Sequence, residues 1–369
     1  MLYTDRHRLG RIIIEVALSD RSQSSDAVYH SVLALASYHR GDPPMQVDRY
    51  KRAALKNLYL HLDPDVCEAT EHVAANLILC VLEMQQTSGK NSAWVGYISG
   101  VKQVIDAFKS HQASSHSRAS VILGWVYYFD VMARFSFRHW RTEQIRAVAN
   151  ELGFSPDGSQ TCALQYLLAR ASFAQGVPNI AAHAHPVVEL LAEVTYTAMY
   201  SSEPGYLSGE YQSHLENLRL RLEDVSSKLS EVQDFAQEEV NSGETLLELA
   251  RLAGLIYLER VSRNLSGPSA KIESWTRRAL SILSGLDSCP CPMALFFIGC
   301  EAVRDEDRMI ILNIYAKMEA RPHLRHSLEV RSLIQTAWNQ QDLAEDGALD
   351  YVHKLNLVMS CRDVVPRLM

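Results

Sequence analysis

The 369-residue chain has no uninterrupted apolar run of about 18 residues, the length a membrane-spanning helix needs. Arg6, Arg8 and Arg11 open the N-terminus, but Glu15 breaks the apolar stretch behind them, so no secretory core follows and a soluble protein is expected. Its seven cysteines, at 67, 80, 162, 289, 291, 300 and 361, are odd in number and scattered. That excludes a secreted disulfide framework and suits a reducing compartment, where thiols act as small core hydrophobes. Basic excess is missing too: 36 Lys and Arg against 43 Asp and Glu leave a net charge of −7. Such a chain is not expected to grip phosphates by itself.

Reactive signatures are equally scarce. Gly89-Lys90 has the ending of a phosphate loop, but Met84 stands where the first glycine belongs, so the cradle of amides is missing and a turn is expected. Gly96-Tyr-Ile-Ser99-Gly100 is not the strained turn that presents a nucleophilic serine; it lies in a helical stripe and reads as packing. His183-Ala-His185 would chelate a metal only on a strand, and Pro186 argues for a helix start instead. His323 and His326, beside Arg321 and Arg325, read as a solvated face. Cys289-Pro-Cys291 has no second pair nearby to complete a thiolate site and reads as a rigid turn. No catalytic residue, metal site or cofactor is assigned.

What is present is a period near 3.6, with none near 2. Ala27, Val28, Val32, Leu35 and Ala36 form one stripe, stopped at Gly41-Asp-Pro-Pro44. Tyr50, Ala54, Leu58 and Leu62 form the next, ended by Asp63-Pro64, and Val73, Leu77, Ile78, Val81 and Met84 a third, closed by Ser88-Gly89. Trp94, Ile98, Val101, Ile105 and Phe108 share a face with Gly96 and Gly100, whose spacing is expected to let another helix approach closely. Ile122, Trp125, Val126, Phe129 and Met132 follow. Helices are also expected over Leu164–Ala171, Val187–Met199, Leu246–Val261, Trp275–Leu286, Leu328–Trp338 and Leu349–Met359, with a loop at Ser201–Gly205. Leu215, Leu218, Leu222, Val225, Leu229 and Val232 alternate 3 and 4 apart, a seam that suits packing inside the domain or, in a homodimer, a short coiled coil. The expected fold is all-α, an irregular array of about a dozen antiparallel helices with no significant sheet.

The stretch Ser288–Met318 organises this array. A Pro-containing turn leads into an apolar helix, a polar corner follows, and a new helix begins with Asp305 as its expected N-cap and Glu306 and Asp307 in the first turn. Asp130 and Arg134, four apart on an aromatic helix, read as an intrahelical ion pair or as the polar lining of a cavity. With Trp94, Tyr97, Tyr128 and His139 they form the set of ligand-pocket candidates.

The string FFIGCEAVRDEDR resembles the C-terminal signature of the fungal-specific transcription factor domain found downstream of Zn2Cys6 clusters. Gly299, Cys300, Glu301, Ala302, Asp307 and Arg308 carry that likeness. AVYHSVLALASYH, RYKRAALKNL, LARLAGLIYLERV and VRSLIQTAWNQQD resemble further elements of the family in the same order. Another element is usually W-x-x-H-x-x-G-A, and this chain departs from it at Tyr97 and Val101. The resemblance implies an N-terminal extension and first helix over 1–24, a regulatory domain over 25–345 with a sub-boundary near 201–213, and a C-terminal helix and tail over 346–369. It also implies a nuclear or nucleo-cytoplasmic regulator that works with the transcription machinery or a related regulator and answers to a partner or a small-molecule effector. No six-cysteine run precedes the domain in these 369 residues. The alternative is a helical scaffold recruited as an isomerase or cyclase of fungal secondary metabolism. Because the charge balance is acidic, titration against duplex DNA is expected to show weak binding without a steep salt slope; tight, steeply salt-dependent affinity would overturn this.

Overall fold

Apolar and small side chains recur at the helical period, and in the computed structural model they close into fourteen α-helices and one π-helical turn, with no strand among the described residues. The structure describes residues 6–19, 22–59, 69–86, 93–107, 118–140, 185–199, 205–231, 238–320, 328–343, 350–362 and 365–368. The all-α expectation holds. The expected helix at 164–171, Gly89-Lys90, His183, His323 and His326 lie outside the described residues. No helix among those described is long and apolar enough to cross a membrane.

The helices fall into two units that part within α6 (Arg118–His139), between Asp130 and Val131. The first unit holds α1 (Arg6–Ala17), α2 (Gln23–Arg40), α3 (Pro44–Tyr59), α4 (Ala69–Gln85), α5 (Ala93–Ala107) and the start of α6. The second holds the rest of α6, α7 (Pro186–Tyr196), α8 (Gly209–Glu231), α9 (Glu238–Tyr257), the π turn Leu258–Ser262 and α10 (Ala270–Ser284). It also holds α11 (Pro292–Cys300), α12 (Asp305–Glu319), α13 (Leu328–Leu343) and α14 (Tyr351–Ser360). The sub-boundary expected near 201–213 falls inside this second unit.

In the first unit α2 packs on both α3 and α4. Its buried face differs from the expected stripe. Ser24, Ser25, Ala27, Val28, Ser31, Ala34 and Ser37 are buried, whereas Val32 and Leu35 are only half-covered and Ala36 is exposed. Serine can be buried here because it satisfies itself locally: Ser31 Oγ donates to the Ala27 carbonyl at 2.8 Å. Small side chains then bring α3 close, with Val47, Ala54 and Leu58 facing them. Ser22 caps the start of α2, and Gly41, at φ 74°, ends it in the left-handed conformation that glycine adopts without strain. Tyr38 ties α2 to the end of α4 through the Gln85 carbonyl at 2.6 Å, and Lys51 pairs with Glu83 between α3 and α4.

The second unit is built around α11, all nine of whose residues are buried. A helix apolar on every side must be enclosed, and α9, α10, α12 and α13 enclose it. Phe297 meets Tyr257 edge-on at 5.1 Å, and Phe135 lies 5.0 Å from Tyr257 and 5.8 Å from Phe297. Leu215, Leu218 and Leu222, the described start of the heptad-like seam, are fully buried in α8, which packs on α7 and α9. These three seam positions are therefore covered within the chain.

A correction concerns the glycines. A Cβ on Gly96 or Gly100 would meet nothing within 4 Å among the described residues, so the close approach expected there is not made by any of them. It occurs instead at Gly254, where a Cβ would lie 2.6 Å from Leu191 Cδ2 and bring α9 against α7. Gly254→Ala is therefore expected to lower stability by about 1–2 kcal/mol net of its gain in helix propensity. Gly96→Ala and Gly100→Ala should each raise it by up to about 1 kcal/mol. Urea midpoints at unchanged slope check this, and an equal response at all three positions would refute it.

Candidate functional site

The last carbonyls of an α-helix have no partner within the helix, and those of α11 are buried. Turn N–H groups take two of them, Glu301 N–H to Ile298 and Ala302 N–H to Gly299, each at 3.1 Å, and side chains from α12 and α13 bond the rest of the corner through Ala302. Trp338 Nε1 donates to the Gly299 carbonyl at 2.8 Å, Gln341 Nε2 to Cys300 at 2.7 Å, and Arg308 Nε to Ala302 at 3.2 Å. Gly299 has a second duty: a Cβ there would lie 2.8 Å from Ile334 Cδ1, so only glycine lets α13 come this near without repacking. Arg308 also clasps Asp342 with two bonds of 2.7 and 2.9 Å and lies 5.3 Å from the Trp338 ring centre.

The start of α12 differs from expectation by one residue. Arg304, extended at φ −80° and ψ 150°, occupies the N-cap position, and Asp305 is already helical. The Arg304 guanidinium bonds Asp307 at 2.8 and 3.0 Å, leaving the acidic trio in the first turn, where the helix dipole favours anions.

Beyond the corner, the π turn after α9 directs Arg260 toward Glu301. Its wider winding shows in the Arg263 N–H, which reaches the Leu258 carbonyl five residues back at 3.0 Å. Arg260 donates Nε to both Glu301 oxygens at 3.0 Å and Nη2 to Oε2 at 2.7 Å. Its Nη1 reaches the carbonyls of Leu265 and Gly267 at 2.8 and 2.7 Å. The pair is nearly dry, with side chains 12% and 6% exposed. Burial works against the Arg260 charge, but the Glu301 carboxylate outweighs it and holds the guanidinium above its ordinary pKa.

Tyr351 completes the cluster from the first residue of α14. Its hydroxyl donates to Glu301 Oε1 at 3.1 Å, and its ring lies 5.4 Å from the Arg260 guanidinium. Burial, reinforced by the Glu301 charge, pushes the phenol well above its usual range, so it stays a neutral donor. Ser266 Oγ accepts the Tyr351 N–H at 3.0 Å, Asn264 Oδ1 the Val352 N–H at 3.3 Å, and Asp350 caps the helix through the His353 N–H. Above this cluster opens a cleft of about 360 Å³, walled by Arg260, Glu301, Arg308, Asp342, Tyr351 and Lys354 over a floor of Ala337, Leu355 and Val358.

The six ligand-pocket candidates lie elsewhere and do not line this cleft. Trp94 is buried in α5, its carbonyl accepting from the Cys80 thiol at 3.6 Å. Tyr97 is half-buried, and burial raises its phenol. Tyr128, edge-on to Phe129 at 5.7 Å, and Asp130 are buried in the first-unit part of α6. Arg134 is buried in the second-unit part, 4.9 Å from the Tyr196 ring centre. His139 bridges Tyr257 Oη at 3.0 Å and Asn356 Oδ1 at 2.8 Å. Because that amide oxygen only accepts, Nδ1 carries the proton, and the ring ties α6 to α9 and α14.

Of the motifs weighed for metals, His185 is the N-cap of α7, its Nδ1 accepting the Val187 N–H at 3.2 Å with Pro186 next. Burial raises the thiols of Cys289 and Cys291, which flank the turn into α11. Sequence reading gathered the signature from Gly299 to Arg308 but missed Arg260, Gln341, Asp342 and Tyr351. Their partners are 41, 41, 34 and 50 residues away, and only the polar interruptions of otherwise apolar helix faces hinted at them.

Residues 6–367 match the fungal specific transcription factor domain. Transcription factor iacI of Pestalotiopsis fici is 30% identical over 373 residues, covering 98% of this chain and 89% of that protein. No solved structure matches.

A double-mutant cycle tests the central pair. Glu301→Ala leaves a nearly buried guanidinium without its counter-charge and is expected to cost about 3 kcal/mol, as is Arg260→Ala. The double variant should fall short of the sum by at least about 1 kcal/mol in chemical denaturation. Strict additivity would show that the two do not act as a unit.

Proposed function

The chain belongs to the fungal specific transcription factor family and has a regulatory role in transcription, and from that premise we propose that it is a nuclear domain that converts a signal into a change of gene expression through protein partners. The observation that carries the reading is the match over residues 6–367, within which Cys300, Glu301 and Arg308 line the cleft. Signal enters at this cleft. Its walls come from the π turn, α11, α12, α13 and α14, so an occupant touches several helices at once and favours the packing that fits it. Output is carried by contact with a regulator that holds DNA, because this acidic chain has no phosphate grip of its own. An isomerase or cyclase on the same scaffold is not the reading these relatives favour.

Deletion of the gene in its host is expected to change the transcripts of a defined gene set. The intact gene should restore them, and a version carrying Glu301→Ala and Arg260→Ala should not. Unchanged transcripts after deletion would overturn the proposal.

A further inference from the structure

Three cations stand on the walls of the cleft, and two are already engaged by the fold. Arg260 directs its donors to Glu301 and to the Leu265 and Gly267 carbonyls; Arg308 directs its own to Asp342 and the Ala302 carbonyl. Lys354 is different. Partly exposed, it has no carboxylate partner among the described residues. It also sits in the first turn of α14, at the helix end where the dipole disfavours a cation and welcomes an anion. Beside it the floor of Ala337, Leu355 and Val358 is apolar, and Val303, 67% exposed, extends that character to the rim. The volume of about 360 Å³ lies in the lower part of the range that encloses small organic molecules.

We propose that this cleft binds a small organic monoanion, a carboxylate on an apolar body, with Lys354 holding the head group and Ala337, Leu355 and Val358 covering the body. The inference deepens the functional reading above and rests on the cleft being its point of signal entry. One negative charge is specified by the wall itself. Lys354 is the one cation of the three without a carboxylate partner among the described residues, whereas a second charge on the ligand would face Glu301 and Asp342.

The test follows thermal melting and calorimetric titration of the intact chain with hexanoate, octanoate, decanoate and 1-naphthoate, with octanamide and octyl phosphate as comparators. At least one acid should raise the melting temperature, octanoate should bind about tenfold tighter than octanamide, and octyl phosphate should bind more weakly than octanoate. Lys354→Met leaves every wall bond named above in place. It should melt like the wild type without ligand and bind octanoate no better than octanamide. The proposal is overturned if no acid shifts the melting, if the shift survives Lys354→Met, or if octyl phosphate binds tighter. An acid that binds but leaves the transcripts of the regulated gene set unaltered in the fungus supports the anion site and sinks its role as the point of entry. A change in those transcripts that Lys354→Met abolishes supports both.

Discussion

A wholly apolar helix that ends inside a protein leaves carbonyls facing no water, and the second unit is arranged to answer those of α11. Three donors on two other helices, Trp338, Gln341 and Arg308, are aimed at the carbonyls of Gly299, Cys300 and Ala302 around its end. Once they are fixed, α13 is seated over Gly299 and α12 is anchored through Asp342. The dry Arg260–Glu301 pair adds the π turn and α14 to the same corner. Each of these polar contacts is worth little beyond the solvated alternative. Leaving one of them unmade in this setting costs more, so the corner is defined mainly by the penalty for disrupting it.

Much of the helical architecture was legible because apolar periodicity is a local property. Most of the described helices follow stripes or turn signals visible in the chain, and the stop at Gly41 needs only its own backbone. Failures came where packing overrode residue type. The expected stripe of α2 left out Ser24, Ser31 and Ser37, yet they are buried because tight helix contact favours small size. Gly96 and Gly100 had the spacing of a contact face, but none of the described residues packs there, while the lone Gly254 is pressed by Leu191. One glycine looks like another until the opposing helix is known.

The cleft was half legible. The signature residues stood together in sequence, and the resemblance they carry is matched by the family found over residues 6–367. What sequence could not supply was the meaning of a Tyr351 or an Asp342 far away, since a polar residue near a helix end reads equally well as solvated surface. Of the residues that carry the sequence resemblance, Cys300, Glu301 and Arg308 line the cleft.

The π turn at Leu258–Ser262 has a consequence for what the gene can tolerate. Such a turn amounts to one residue more than an α-helix would use over the same span. Deleting that residue would restore regular winding and change the direction in which side chains within the turn, Arg260 among them, face. Arg260 would then swing away from Glu301 although no residue in the pair had been substituted. Along this short segment the reading frame of the helix is under tighter constraint than its composition: conservative exchanges are absorbed, but single-codon insertions and deletions are not.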